Sequence, residues 1–404
     1  MKYVILIMDG AGDRPLKELG GKTPLQIAKK PHIDYLTKKG RCGLFKTIPE
    51  NFSTCSGVAN LSILGYDPLK YFHGRGVLEA GAMGINLDKI DVVLRCNTIT
   101  ITEDRRIKNH SAGHISSDEA KILIEEANKR LGSNEIIFYP GVSYRHILVL
   151  KGGYSSDVEC FPPHDYTSTP YKQLLVKPKS KEAVRTAEIL NRIIEESYDI
   201  LDKHPVNLQR KRQGKDPANM LWPWSPGRKP VMDKFYERFG IKGAVISAVD
   251  LIKGIGIYCG FDVINVKGAT GLWNTNYEGK ADACVDAMRS HDLVYVHVEA
   301  IDEASHEGNI ELKIRCIEDF DRRLVGNILP HIDMENTVIA ILPDHYTPVE
   351  TGAHSSEPVP FLIYNPLLPP DEVETFDEIS CSYGIYGLCK GDSLINYFLK
   401  EGMK

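Results

Sequence analysis

Aspartate residues stand directly after three short apolar runs, and their side chains are of a kind that binds metal ions. The runs and the aspartates that follow them are residues 3–8 with Asp9, residues 293–301 with Asp302, and residues 337–343 with Asp344. Runs of this length and composition are typical of buried parallel strands. Because ligands bind beyond the carboxyl ends of such strands, we expect the three carboxylates to meet at one edge of a sheet.

Three histidines accompany these aspartates in the sequence. His306 follows Asp302 by one helical turn, His345 is next to Asp344, and His354 comes soon after. Carboxylate and imidazole groups together suit Mn, Zn or Mg, so the set predicts a paired metal site. Taken alone, the first pair is better explained by a helix cap with a surface histidine, and the second by a turn. The coincidence of three strand-terminal acids with three histidines favours the metal site.

Length and composition are those of an ordinary globular protein. The chain has 404 residues, of which 42% are hydrophobic and 25% charged, which is enough for two or three domains. The formal net charge of -5 and the lack of a basic stripe argue against nucleic-acid binding. A small phosphorylated substrate would therefore have to be held by local arginines and lysines.

Cysteine usage and hydropathy indicate the cellular compartment. The nine cysteines are odd in number and contain no CxxC pair, so neither a disulfide framework nor a zinc-thiolate site is predicted. No apolar run approaches ~18 residues, so neither a signal peptide nor a membrane span is predicted. We expect a cytoplasmic protein with no nucleic-acid and no membrane partner, and a homo-oligomer stays open.

Strand-like runs alternate with helical periodicity along the chain, which predicts an α/β fold. Helices are expected at residues 118–131, 181–201 and 311–329. Ser116 and Ser117 are the expected caps of the first helix, whose first turn carries two acids that suit the helix dipole.

The middle of the chain differs in character from its two ends. Several strand-like runs surround one helix there, at residues 91–97, 98–102, 136–139 and 145–150. Because Asp9 precedes this region and the other metal candidates follow it, we interpret residues 80–180 as a smaller inserted α+β domain. Residues 1–79 and 181–404 would then form the metal-binding core.

A serine stands where a loop runs into a short helix that ends at Gly65. Ser56 at the beginning of this helix would face N–H groups and a positive dipole end, which suit a phosphate. On its own, Ser56 is best explained as an N-cap. Beside a two-metal site, its hydroxyl would instead serve as a metal-activated nucleophile. The local alternatives for that role are Ser53, Thr54 and Ser62.

A series of motifs is shared, in order, with one protein family. These motifs are Met8-Asp-Gly10, Lys22-Thr-Pro-Leu-Gln26, Ala59-Asn-Leu-Ser-Ile-Leu-Gly-Tyr-Asp-Pro68, Gly74-Arg-Gly76, Leu78-Glu-Ala80, Arg95-Cys-Asn97, Gly268-Ala-Thr-Gly271, Asp302 with His306, Asp344-His345, and His354-Ser-Ser-Glu-Pro-Val-Pro360. Over essentially its whole length the chain resembles the archaeal-type cofactor-independent (2,3-bisphosphoglycerate-independent) phosphoglycerate mutases of the alkaline phosphatase superfamily. The resemblance implies an alkaline-phosphatase-like α/β core, with a mostly parallel sheet flanked by helices and a smaller α+β domain as a cap.

The resemblance also implies a role for each matching position. The metal ligands would be Asp302, His306 and His354 for one ion, and Asp9, Asp344, His345 and Ser56 for the other. Phosphoglycerate would transfer its phosphoryl group to Ser56, and the glycerate would turn over and take it back on its other hydroxyl. The cofactors would be two divalent ions (Mn, Mg or Zn) and no 2,3-bisphosphoglycerate. Closure of the cap would exclude water and so favour transfer over hydrolysis.

Substrate contacts follow from the same resemblance. Arg75, Arg145 and Lys253 match basic positions that the family would use for phosphate or carboxylate, although any one of them is equally well explained as a solvated surface group. Asn97 lies in the insert as a further substrate contact. His114 would be a general acid or base near neutral pH, or else a structural residue ahead of the following helix.

The chain departs from the family on both sides of the serine. The family usually has Gly before the serine and an acid after it, where this chain has Cys55 and Gly57. The departure bears on substrate choice and leaves the metal ligands unchanged. We expect a mutase that interconverts 3-phosphoglycerate and 2-phosphoglycerate. The alternatives are a homoserine-kinase-like enzyme, against which the absence of a GxxxxGK[ST] loop counts, and a metal-dependent phosphatase.

Overall fold

The computed structural model describes residues 1–400 and divides the chain into two compact units. The first unit is discontinuous, with Met1–Phe72 before the second unit and the chain from Met232 onward after it. The second unit is the continuous segment His73–Val231.

Fifteen strands are present in residues 1–400. They are β1 (Lys2–Met8), β2 (Arg41–Lys46), β3 (Val92–Ile101), β4 (Ile107–Asn109), β5 (Ile136–Tyr139), β6 (Arg145–Leu150), β7 (Val158–Glu159), β8 (Lys177–Pro178), β9 (Met220–Gly227), β10 (Gly243–Ile246), β11 (Asp262–Ile264), β12 (Leu293–Val298), β13 (Thr337–Leu342), β14 (Val359–Tyr364) and β15 (Leu388–Lys390).

Fifteen α-helices accompany them in the same described range. They are α1 (Pro24–Ile27), α2 (Pro31–Lys38), α3 (Ser56–Ile63), α4 (Pro68–Tyr71), α5 (Arg75–Ala82), α6 (Ser117–Leu131), α7 (Val184–Leu201), α8 (Pro205–Arg212), α9 (Phe235–Phe239), α10 (Asp250–Cys259), α11 (Tyr277–Ala287), α12 (Ala300–His306), α13 (Ile310–Asp319), α14 (Gly326–Ile328) and α15 (Ser393–Lys400). A π-helical segment, Phe320–Val325, joins α13 to α14.

The first unit is built on a sheet whose described strands run in the order β11-β10-β12-β1-β13-β14-β2-β15. The five strands from β11 to β13 are parallel, and β14 is antiparallel to both of its neighbours. Strands β1, β12 and β13 are apolar on both faces and almost entirely buried, as expected where helices cover both faces of a parallel sheet. The predicted α/β fold with a mostly parallel sheet is confirmed.

The second unit has its own antiparallel sheet and its own core. Strand β3 is central: it pairs with β6, which pairs in turn with β5, and it also pairs with β9 and with β4. All ten residues of β3 are buried, and α6 and α7 supply apolar side chains such as Ile124 and Ile194 to the same cluster. This unit is an α+β arrangement, as the sequence indicated for the middle of the chain.

The second unit is longer than the insert expected at residues 80–180. Helix α5 packs on β3 and β9, and α7 packs on β9, so elements from both sides of the expected insert belong to this unit. The sequence alone assigned residues 181–231 to the core because the pairing of β9 with β3 is not visible in a local pattern. Trp222 and Trp224 lie in β9.

The helix boundaries agree closely with the expected ones. Helix α6 is capped by Ser116, whose Oγ accepts a hydrogen bond from the Glu119 backbone N–H at 3.3 Å, and the Glu119 carboxylate accepts one from Ser116 N–H at 3.4 Å. The helix expected at residues 181–201 begins with a 3₁₀ turn before α7. No helix in residues 1–400 combines the length and apolar character needed to cross a membrane.

Trp222 anchors β9 in the core of the second unit and provides a test of this architecture. Its side chain is fully buried and its Nε1 donates a hydrogen bond to the Phe161 carbonyl at 2.7 Å. We expect Trp222→Ala to lower the free energy of unfolding by about 3–5 kcal/mol because it leaves a large cavity, as measured by urea denaturation. Trp273→Ala is the control, because Trp273 is 44% exposed and its loss is expected to cost less than ~0.5 kcal/mol. Equal effects of the two variants would contradict the packing described.

Candidate functional site

The carboxyl ends of three adjacent parallel strands carry the candidate metal ligands. Asp9 directly follows β1, Asp302 and His306 lie one turn apart on α12 after β12, and Asp344-His345 follow β13. In the register of the sheet, Ile7 of β1 lies opposite His297 of β12 and Leu342 of β13. The strand ends are therefore level, and this alignment brings residues distant in sequence to one place.

One group of donor atoms forms around Asp302. Its Oδ2 lies 3.0 Å from His306 Nε2, and its Oδ1 lies 3.5 Å from His354 Nε2. The two histidine Nε2 atoms are 3.1 Å apart. His306 Nδ1 donates a hydrogen bond to the Gly352 carbonyl at 2.7 Å, which leaves Nε2 directed at the group. Burial acts to raise the pKa of Asp302, but the hydrogen bonds from His306 and His354 hold it well below its ordinary value.

A second group forms around His345. Its Nε2 lies 3.4 Å from Asp9 Oδ1, 3.6 Å from Asp344 Oδ2 and 3.1 Å from Ser56 Oγ. Ligands about 2.1 Å from one tetrahedral ion are roughly 3.4 Å apart, so these spacings suit a single ion. Burial raises the pKa of Asp9 well above its ordinary value, and the nearby carboxylates of Asp344 and Asp302 raise it further.

The serine of the second group does not act as a helix cap. Helix α3 begins at Ser56, its N-cap residue is Cys55, and no side chain caps it. The three local alternatives are engaged elsewhere or exposed. Ser62 Oγ donates to the Val58 carbonyl at 3.2 Å, Thr54 Oγ1 donates to the His354 carbonyl at 3.3 Å, and Ser53 is exposed. Ser56 is the hydroxyl that the fold brings to the second group.

Neighbouring polar groups fix the ligand side chains in place. Asp344 Oδ1 accepts hydrogen bonds from the backbone N–H groups of Gly10 and His345, and its Oδ2 accepts one from Asn60 Nδ2 at 2.9 Å. The Tyr295 hydroxyl in turn donates to Asn60 Oδ1. Asn60 lies one turn beyond Ser56 on α3, so a single amide links the serine helix to the acidic ligand. The sequence reading missed this residue.

A buried lysine connects the loops that carry the ligands. Lys313 Nζ donates to Asp13 Oδ2 at 2.8 Å, to the Thr347 carbonyl at 3.0 Å and to the Gly12 carbonyl at 3.3 Å. Thr347 Oγ1 donates to Asp302 Oδ1 at 2.6 Å and lies 3.2 Å from His345 Nδ1. The loop after β1 and the loop after β13 are thereby held against each other.

His297 and Lys280 are two further buried groups that sequence reasoning missed. His297 lies in β12 with its Nε2 3.1 Å from Asp9 Oδ2, and Lys280 Nζ donates to the His297 carbonyl at 3.0 Å. Burial lowers the pKa of His297 to about 4 and that of Lys280 to about 8. The available signal for His297 was an imidazole inside an otherwise apolar strand, on the same strand face as Tyr295.

Two of the site residues suggested in the second unit, Arg75 and Arg145, belong to a cluster of arginines around Glu79. Arg75 Nε lies 3.0 Å from Glu79 Oε1, and Arg95 Nε lies 3.5 Å from Glu79 Oε2. Burial acts to raise the pKa of Glu79, but Arg95 and Arg75, with a smaller contribution from Arg145, lower it. Three guanidinium groups around one carboxylate leave a positive excess that suits an anion. Arg95, which is almost fully buried, was not singled out from the sequence.

The remaining suggested contacts differ in how much of the side chain is free to bind. Asn97 accepts from Trp224 Nε1 at 3.1 Å and donates to the His110 carbonyl at 3.3 Å, so its amide is used within the unit. His114 is exposed and has a positive φ of 51°. Lys253 belongs to the first unit, on α10, where its Nζ lies 3.4 Å from Asp250 Oδ1.

Gly57, where the sequence departs from the family it resembles, is tightly packed. A Cβ at this position would lie 2.7 Å from the Phe72 ring. An acidic side chain therefore does not fit beside Ser56 unless Phe72 moves. The apolar ring occupies the place where the resemblance would put a charge.

The donor set fits divalent metal ions. The buried atoms Asp9 Oδ1 and His297 Nε2 form no hydrogen bond within the described residues, which is the situation that a bound cation resolves. Carboxylate, imidazole and hydroxyl groups at these spacings suit Mn, Zn or Mg. The residues that would hold the ions are those of the two groups around Asp302 and His345.

Comparison with known proteins agrees with this chemistry. A family model described as 2,3-bisphosphoglycerate-independent phosphoglycerate mutase matches residues 37–207. A protein of Methanosarcina acetivorans with that name is 49% identical over 403 residues, which cover 99% of this chain and 100% of that protein. A Geobacter sulfurreducens protein, named a probable member, is 46% identical over 90% of this chain and 91% of its own length.

Two solved structures are similar over nearly their whole length. A cofactor-independent phosphoglycerate mutase from Thermoplasma acidophilum has a TM-score of 0.69 and 30% identity, with 100% of each chain covered. A Pyrococcus horikoshii protein has a TM-score of 0.84 and 32% identity, covering 98% of this chain and 96% of that one.

The network beneath the ligand loops makes a testable prediction about pH. Glu378 Oε1 accepts from the Asp13 backbone N–H at 3.0 Å and Oε2 accepts from Thr23 Oγ1 at 2.6 Å, and burial raises the pKa of Glu378 to about 7. Because the folded-state pKa lies above the unfolded value, the free energy of unfolding should fall as the pH rises from about 4.5 to 7 and then level off. For this group alone the expected fall is about 3 kcal/mol.

Glu378→Gln, which keeps the shape without the charge, is expected to remove this pH dependence. Urea unfolding at pH 5 and pH 8 measures it, with both proteins compared at each pH. An identical loss of stability in the variant and the wild type between these pH values would contradict the assignment.

Proposed function

The chain belongs to the 2,3-bisphosphoglycerate-independent phosphoglycerate mutases, and on that basis we propose that it interconverts 3-phosphoglycerate and 2-phosphoglycerate through a phosphoserine at Ser56. The observation that carries the proposal is the convergence of Ser56 Oγ with the His345 and Asp302 groups at one sheet edge. Divalent metal ions accord with the family, and we propose two of them, without 2,3-bisphosphoglycerate.

The proposed reaction consists of two phosphoryl transfers. Ser56 Oγ attacks the phosphorus of 3-phosphoglycerate, the bond from phosphorus to the C3 oxygen breaks, and that oxygen takes up the proton that the serine gives up. The C2 hydroxyl then attacks the phosphoserine, Ser56 recovers a proton, and 2-phosphoglycerate forms. Divalent ions at the two groups, when bound, would lower the pKa of the serine hydroxyl and stabilise charge on the phosphoryl oxygens.

Residues of this chain supply orientation for these transfers. Helix α3 presents the serine at its first residue, where backbone N–H groups and the helix dipole favour a phosphate. Asn60 holds the same helix to Asp344. In the second unit, we propose that Arg75, Arg95 and Arg145 bind an anionic group of the substrate. Their three positive charges outnumber the single negative charge of the Glu79 carboxylate beside them.

Two further assignments stay proposals. His114 is offered as a general acid or base, since it is exposed and thus accessible to a substrate. A cytoplasmic location is proposed because none of the nine cysteines, all of which lie within residues 1–400, forms a disulfide, which accords with a reducing compartment.

The nucleophile is tested by Ser56→Ala. We expect mutase activity to fall by at least about 10³-fold, since the covalent route is lost, and transfer of label from ³²P-phosphoglycerate to the protein to disappear. Ser62→Ala is the matched control on the same helix, because the Ser62 hydroxyl donates to the Val58 carbonyl of that helix, and it should retain both activity and labelling. Retained turnover in Ser56→Ala would rule out the serine as nucleophile.

The metal requirement is tested by chelation. After treatment with EDTA and its removal, we expect activity with 3-phosphoglycerate to be lost and to return when Mn²⁺ is added, because the acidic ligands cannot otherwise hold a phosphoryl group. Full activity in protein shown to be free of metal by mass spectrometry would overturn the two-ion proposal.

The same preparation separates the mutase from its alternatives. Gly57 and the Phe72 ring change the surroundings of the nucleophile relative to the resemblance, so substrate choice needs a direct measurement. Formation of 2-phosphoglycerate from 3-phosphoglycerate alone supports the mutase. Phosphohomoserine made from homoserine and ATP would instead identify a kinase, and release of free phosphate would identify a phosphatase.

A further inference from the structure

His297 is the fully buried imidazole nearest to Asp9 that has no assigned role. We infer that His297 is a ligand of the ion held between Asp9 and Asp344, in addition to the residues proposed above. The inference rests on the proposed function, because it requires an ion at that place.

The spacing of the donor atoms is the first argument. One donor atom each from Asp9, His297 and Asp344 can be chosen so that all three lie within 4.8 Å of one another, and all three side chains are buried. His297 Nε2 is 3.1 Å from Asp9 Oδ2. Two ligands of one ion at right angles, each about 2.1 Å away, are roughly 3 Å apart, so the pair has the separation of neighbouring ligands.

The state of the two ring nitrogens is the second argument. His297 Nδ1 lies 3.4 Å from Ser247 Oγ, and Ser247 Oγ accepts the Val249 backbone N–H at 3.0 Å. His297 Nε2 forms no hydrogen bond within the described residues, although it is close to Asp9. A ring that donates from Nδ1 to the serine has a lone pair at Nε2, which is the form in which histidine binds metals.

The position of the ring is fixed by the sheet. His297 is in β12, whose neighbours β1 and β10 are both parallel to it, and its carbonyl accepts from the buried Lys280 Nζ. In the register of the sheet, Ile246 of β10 lies opposite Val296, so Ser247 follows beside His297. A core histidine without a role would have both ring nitrogens satisfied, as His291 has with the Ala287 carbonyl and Asp262.

The test uses the full chain loaded with Co²⁺. We expect a hyperfine-shifted, slowly exchanging ring N–H proton resonance from the buried His297, and we expect it to vanish in His297→Ala. Isothermal titration calorimetry with Co²⁺ should show one of two ions bound at least 10-fold more weakly in this variant, with added imidazole restoring part of the affinity. His291→Ala is the control and should bind both ions as the wild type does.

Ser247→Ala provides a milder second variant in case His297→Ala does not fold. Loss of a partner to a ligating histidine typically weakens binding 10- to 100-fold, so its affinity for the same ion should fall while the shifted resonance moves. Weaker binding with no shifted His297 resonance in the wild type would overturn the ligand assignment in favour of a positioning role. Unchanged affinity in both variants would also overturn it.

The outcome also separates this inference from the proposed function. If the wild-type chain binds fewer than two ions, the two-ion site itself fails. If it binds two ions and Ser56 becomes labelled, but His297 gives no shifted resonance and its replacement leaves the Co²⁺ affinity unchanged, then His297 is not a ligand and the proposed function stands.

Discussion

Mutual repulsion among three buried carboxylates is the constraint on which the rest of the structure depends. Asp9, Asp302 and Asp344 end adjacent segments of one sheet edge, where water is excluded and charges interact strongly. The fold stabilises the charged form of these carboxylates to different degrees. Histidines hold the pKa of Asp302 down, while burial and its acidic neighbours push the pKa of Asp9 up. Divalent cations would neutralise the remaining negative charge, so the burial of these carboxylates would itself provide affinity for metal ions.

The surrounding polar groups mainly orient the ligand side chains and hold their loops in place. Asp344 is fixed through both oxygens, His306 through its Nδ1, and Lys313 joins the two ligand loops through three oxygens. The His306 contact uses the ring nitrogen that a metal does not need and leaves Nε2 turned toward the Asp302 group. The ligand geometry is therefore a property of parallel strands with level ends and of a hydrogen-bonded layer beneath them.

Much of this could be predicted from the sequence, and the limits have physical causes. Asp9, Asp302 and Asp344 are recognisable because an acid at the end of a buried run is unusual, and the capping box of α6 is local in sequence. Asn60 and Lys313 act through contacts between residues hundreds of positions apart, which no local pattern encodes. His297 was concealed because one imidazole in an apolar strand does not disturb the periodicity. The second unit extends to Val231 because β9 pairs with β3, which is far from it in sequence. Local sequence patterns do not reveal such long-range pairings.

The discontinuity of the first unit has a consequence for how the protein is made. Strand β1 lies between β12 and β13, so its partners are synthesised only after the whole of the second unit. At typical translation rates the delay is on the order of tens of seconds. The continuous second unit can complete its own sheet in that interval. The apolar β1 must meanwhile remain unpaired, as must β2, whose partners β14 and β15 are made later still. Both early strands are therefore exposed to edge-to-edge aggregation until most of the chain has been synthesised.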